Sequence, residues 1–149
     1  KKRNEDGVFM DADDIKERIK RNDAKAQEII ERVVGSPKLP VFEEYRVAIS
    51  RYVRYRYLLD PLDESESNLD ALAYLSVSKI VKETNGDLSI AGVSGSCNGM
   101  GSPEEKKFLT FIVLQRKLGV KLDPEEATRI ETIDDLALQT YRLLLEKQN

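Results

Sequence analysis

The sequence predicts an all-α protein, and three observations carry that prediction. Apolar residues recur at helical spacing, as in Ile15, Ile19, Ala26, Ile29, Ile30 and Val33. A hydroxyl residue stands three positions before an acid at two helix starts, Ser102/Glu105 and Thr132/Asp135. Glycine and proline punctuate the chain between the periodic segments, where they stop helices.

The first helix is predicted over 11–34. Its acid-base pairs Asp14/Arg18, Glu17/Arg21 and Glu28/Arg32 place the acid first at the favourable four-residue spacing. Gly35, Pro37 and Pro40 end it. A second helix is predicted over 41–59, with Val41, Tyr45, Ala48, Tyr52, Tyr55 and Leu59 on one face. Val47, Val53, Tyr57 and Leu58 fall on other faces, so this helix is either buried between neighbours or covered by a partner. Residues 60–68 read as an acidic linker, with Pro61 closing the helix before it. A third helix runs from Leu69 to about Thr84, marked by Leu69, Leu72, Ala73, Ser76 and Ile80. A loop rich in glycine and serine follows to Gly101. The next helix starts at Ser102-Pro-Glu-Glu105, with an N-cap serine, proline at the first helical position and a capping box. Phe108, Phe111, Leu114 and Leu118 supply its inner stripe and Gly119 its end. A short turn fits 124–129, and the last helix opens at Thr132 with Ile133, Leu136, Ala137, Thr140, Leu143 and Leu144 inward.

Composition narrows the function. The chain holds no histidine, so Ser-His, Cys-His and His-ligated zinc sites cannot be built from it alone. A net charge of −3 gives no general pull toward nucleic acid or an acidic membrane. No apolar run reaches the ~20 residues of a membrane span. The single Cys97 excludes an intrachain disulfide and points to a reduced, cytoplasmic setting. Lys1 to Gly7 lacks an initiator methionine and an apolar signal core, which suggests a trimmed chain or a fragment.

The segment Leu118-Gly-Val-Lys-Leu-Asp-Pro-Glu-Glu-Ala-Thr-Arg-Ile-Glu-Thr-Ile-Asp-Asp-Leu136 resembles, without a gap, the stretch of acyl and peptidyl carrier proteins that links their second helix to their last. Leu118 matches the residue closing helix two, Ala127 the small residue of the short helix, and Thr132-Ile133 the Thr-Val opening the last helix. Phe108, Phe111 and Leu114 match core positions of helix two. The resemblance covers about half the chain, 69–146, and implies a four-helix carrier fold there. Family members carry phosphopantetheine on the serine of an Asp-Ser-Leu motif at the start of helix two. Counting back from Leu118 sets Pro103, Glu104 and Glu105 at those three positions, and a glutamate cannot form the serine phosphodiester. The alternative is a modified Ser102, with a helix longer by half a turn. In the family this helix and the loop before it form the docking face, so the resemblance makes Ser102, Glu104, Glu105 and Lys106 candidate contacts.

Other motifs carry less chemistry. Gly95-Ser-Cys-Asn-Gly99 has the outline of a nucleophile elbow around Cys97, but the chain has no histidine partner for it. Arg46, Arg51, Arg54 and Arg56 alternate with tyrosines, yet helical spacing spreads them around the helix and makes no basic face. Asp11 to Asp14 and Asp60 to Glu66 lack the ligand order and glycine of a calcium loop.

The expected architecture is thus an N-terminal helical hairpin (11–59), an acidic linker (60–68) and a carrier-protein-like four-helix bundle (69–146), after a disordered or foreign tail (1–10). The expected function is a non-enzymatic carrier-like module that binds a protein partner or itself. Glu104, Glu105 and Lys106 form one contact face, and Tyr52 and Tyr55 a second apolar surface. No cofactor, metal, nucleic acid or membrane is expected; phosphopantetheine on Ser102 belongs to the alternative, a functional carrier.

Overall fold

The computed structural model describes residues 12–83 and 102–148. Among them the chain is all-α, as the sequence predicts: α1 (Ala12–Gly35), α2 (Phe42–Arg56), α3 (Leu69–Glu83), α4 (Pro103–Leu118), α5 (Pro124–Thr128) and α6 (Ile133–Gln148). The one β-type contact among the described residues is a bridge between Asn68 and Thr132. It ties the starts of α3 and α6 together through Leu69 N–H to the Glu131 carbonyl (2.8 Å) and Ile133 N–H to the Ser67 carbonyl (2.9 Å).

Local chemistry explains most boundaries. Ser102 caps α4 with a reciprocal capping box. Its hydroxyl accepts from Glu105 N–H, and the Glu105 carboxylate accepts from Ser102 N–H, both at 3.1 Å. Thr132 and Asp135 form the same box at α6 (3.0 and 3.1 Å), so aspartate serves where glutamate is usual. Gly119 ends α4 at φ 69°, and Val120 N–H returns to the Gln115 carbonyl at 3.1 Å.

The end of α2 differs from the expectation. The helix stops at Arg56, not near Leu59, because Leu58 takes the left-handed conformation at φ 59°. Leu59 N–H then bonds the Arg54 carbonyl (2.9 Å) and Leu58 N–H the Tyr55 carbonyl (3.1 Å). That conformation costs a leucine about 1–2 kcal/mol. Burial of its side chain, worth ~1.5–3 kcal/mol, offsets the cost.

α2 is the hub. It packs against α1 on one side and α6 on another, while α3 packs on α4. Tyr45 reaches α6, where its hydroxyl meets Thr140 Oγ1 at 2.6 Å, and Tyr57 reaches α4, meeting Thr110 Oγ1 at 2.7 Å. Each threonine donates its one proton to the carbonyl four residues back, Leu136 and Lys106. Each tyrosine must therefore be the donor in its pair. α3 caps the carbonyls freed by the turn after α2: Ser76 Oγ donates to Tyr57 O and Lys79 Nζ to Leu58 O, both at 2.7 Å. Phe42 and Tyr45 also pack on the Tyr141 ring of α6, with centroids 5.2 and 5.0 Å apart.

The buried apolar cluster consequently runs through both sides of the 60–68 stretch, from Ala26 and Ile30 through Tyr45, Ile49 and Leu72 to Leu114 and Leu136. The acidic residues of that stretch make turns, with Asp60, Asp63 and Glu66 each accepting from a backbone N–H two residues on.

Two outcomes are expected. A fragment spanning 69–149 lacks α2 and should show no cooperative urea transition; a sharp transition with the full chain's near-ultraviolet signal would make the C-terminal half independent. Thr140→Val should cost about 1–3 kcal/mol by stranding the Tyr45 hydroxyl, and adding Tyr45→Phe should recover part of that loss. Urea denaturation of the two single variants and the double variant measures the coupling.

Candidate functional site

The site expected from the sequence lies at the start of α4. Ser102 is exposed, its oxygen holding the capping bond, and Glu104 and Glu105 are exposed in the first turn. Acids at this end favour the helix dipole as well as any docking role. Phe108, four residues after Glu104 on the same face, is 63% exposed. The sequence placed Phe108 in the core, and that expectation is corrected. The buried face of α4 carries Lys106, Thr110, Phe111, Val113, Leu114 and Leu118. The helix is rotated so that two polar residues face inward, leaving a surface stripe of Glu104, Phe108 and the half-buried Ile112.

Lys106 is likewise not a surface contact. Only 3% exposed, it lies with Nζ 5.3 Å from the Tyr57 ring centroid, a cation–π arrangement. Burial pushes its ammonium down to about 8; repulsion from Arg56 adds to this and the Asp23 carboxylate opposes it. Tyr57 is pushed up to about 12, chiefly by burial, against the lowering effect of its bond to Thr110. Arg56 of α2 and Asp23 of α1 stand 3.9 Å apart in the same region. A lysine, a phenol, a guanidinium and a carboxylate thus meet where α1, α2 and α4 converge.

Tyr52 is 1% exposed and belongs to the core, with the Arg56 guanidinium 5.9 Å from its ring centroid, so it offers no docking surface. Tyr55 is half-buried against the same core. These positions support the reading of α2 as a helix enclosed by neighbours. Its arginines diverge. Arg46 pairs with Glu43 and Asp134, and Arg54 is buried, donating to Ser50 Oγ and the Glu66 carbonyl. Arg51 is exposed. Gly95, Cys97, Gly99 and Gly101 lie outside the described residues. Among the described residues no group of three or more potential ligands gathers to hold a metal, and no helix is long and apolar enough to cross a membrane.

Sequence reasoning missed the inward lysine and the Tyr–Thr pairs. The available signal was the spacing of Lys106, Thr110, Val113, Leu114 and Leu118, which follows a helical face as well as the stripe through Phe108 does. No protein-family model matches this chain, and neither a curated protein nor a solved structure matches it.

The buried pair gives stability a pH signature. Below about pH 8 Lys106 is protonated in both states. Between about 8 and its ordinary 10.5 the unfolded chain holds the proton that the folded one has released, so stability rises with pH. Lys79, lowered mainly by burial, acts in the same direction. Tyr57 opposes from its ordinary 10 upward, because the unfolded chain ionises first. Melting temperature should therefore climb from pH 8 to near 10 and then fall. Lys106→Met should flatten most of the climb; an equal climb in that variant would place the titration elsewhere.

Proposed function

We propose that this chain is a non-catalytic docking module on an acyl-carrier-like frame, binding a protein partner through the first two turns of α4. The observation that carries the reading is the exposed stripe of Glu104 and Phe108 on a helix whose start is fixed by a capping box. A large aromatic left in water beside carboxylates suits recognition better than folding, since its burial by a partner would recover apolar area. The resemblance over Leu118–Leu136 supports the same face, because carriers dock through this helix. Tyr52 and Lys106, being internal, drop out of the contact set.

A second reading rests on Ser102. Its hydroxyl is exposed at the N-terminus of α4, and the capping bond uses the oxygen only as acceptor, leaving the O–H proton uncommitted to it. A phosphodiester there would meet the positive end of the helix. Under that reading the chain is an active carrier, with Pro103 in place of the apolar residue that normally follows the modified serine.

Incubation with coenzyme A and a promiscuous phosphopantetheinyl transferase, followed by intact mass and peptide mapping, separates the two. The docking module stays unmodified beside a carrier control that reacts; a mass gain on Ser102 replaces it with a working carrier. Phe108→Ser should change stability by no more than about 0.5 kcal/mol. It should also remove the protein that a photo-crosslinker at position 104 traps, and undiminished trapping would discard the α4 face.

A further inference from the structure

α1 and α2 flank an open groove of about 480 Å³. Its floor is apolar: Ile29 and Val33 from α1, Val47 and Ala48 from α2. Its rim is cationic, with Arg32, Lys38 and Arg51 against the one carboxylate Glu44. Arg32 has only a loose, exposed pairing with Glu28 at 4.0 Å, a kind that contributes little. Among the described residues no carboxylate pairs with Lys38 or Arg51. A chain of net charge −3 therefore carries a local excess of positive charge around apolar side chains. Such a field steers an anionic partner and selects against a cationic one.

We propose that the α1–α2 groove is a second docking site, taking an acidic amphipathic helix of a partner protein. Apolar side chains at i and i+4 of that helix seat on Ile29, Val33 and Val47, and flanking carboxylates meet Arg32, Lys38 and Arg51. A nucleic acid would satisfy the cations and leave the floor uncovered; a purely apolar segment would do the reverse. An occupant that is acidic on its flanks and apolar on one face uses both. A second copy of this chain would have to seat its α4 stripe of Glu104, Phe108 and Ile112 here, and sedimentation distinguishes that occupant from a partner protein.

The test is selection of a displayed library of randomised helical peptides on the full chain, with affinities then measured by fluorescence anisotropy. The enriched peptides should be acidic with apolar residues four apart. Arg51→Glu, a change at an exposed position, should weaken them about tenfold, equivalent to roughly 1.4 kcal/mol. Glu→Lys changes in the peptide should restore binding to that variant, and Glu104→Lys on α4 should leave binding unchanged. No enrichment, enrichment of basic peptides, or equal affinity for Arg51→Glu would overturn the proposal. A dimer in sedimentation that Arg51→Glu dissolves would give the groove to a second copy, and saturable dodecanoate binding blocked by the same change would give it to a small anionic amphiphile; either result also overturns it.

Discussion

Two buried phenols govern how this chain packs. Tyr45 and Tyr57 lie near opposite ends of α2, and each hydroxyl needs a partner because a stranded buried donor costs about 1–3 kcal/mol. Thr140 and Thr110 provide those partners from α6 and α4. Each threonine is itself oriented by a bond to its own helix, so the phenol meets a fixed acceptor rather than a rotating one. With its two ends bound to two different helices, α2 has little freedom to slide or turn. The α1 packing, the aromatic group around Tyr141 and the α3 caps on the carbonyls of Tyr57 and Leu58 all follow from that placement.

The same constraint explains which parts of the fold were legible in the sequence. Helix starts were readable because their chemistry is local: Ser102 with Glu105, and Thr132 with Asp135, declare themselves within four residues. The end of α4 was readable at Gly119 for the same reason. The end of α2 was not, because a leucine in the left-handed region carries no local mark and is held only by distant burial. The face of α4 was misread through Phe108 because periodicity counts apolar residues, whereas Thr110 and Lys106 turn inward to meet Tyr57. The all-round apolar character of α2 suits a partner-facing Tyr52 and an enclosed one equally, and the neighbouring helices bury it. Composition drew a boundary at the acidic 60–68 stretch, but a change in solvated loop residues says nothing about helices packing across it.

The inward rotation of α4 bears directly on the proposed docking face. Had Phe108 filled the core, the first turns of α4 would present only Glu104 and Glu105, a charge pair with little area to bury. Committing Lys106 and Thr110 to the interior leaves the aromatic outside, at the cost of desolvating an ammonium. The ring of Tyr57 and the Asp23 carboxylate lessen that cost, and the lowered proton affinity of Lys106 has the same burial as its first cause. The polar interior and the exposed aromatic are thus two results of one helix orientation.

Opposite charge on the two proposed docking surfaces makes them mutually exclusive in what they accept. The α4 stripe pairs an aromatic with carboxylates, so an acidic helix approaching it meets like charge. The α1–α2 groove pairs an apolar floor with three cations, so a basic segment that suits α4 is repelled there. Repulsion of the wrong partner contributes to specificity alongside attraction of the right one. Because α2 packs against α1, bonds Thr110 of α4 and forms one wall of the groove, both surfaces are fixed to the same helix and do not depend on a linker for their spacing. The two proposed surfaces would place an acidic and a basic partner in a geometry set by the Tyr–Thr pairs that locate α2.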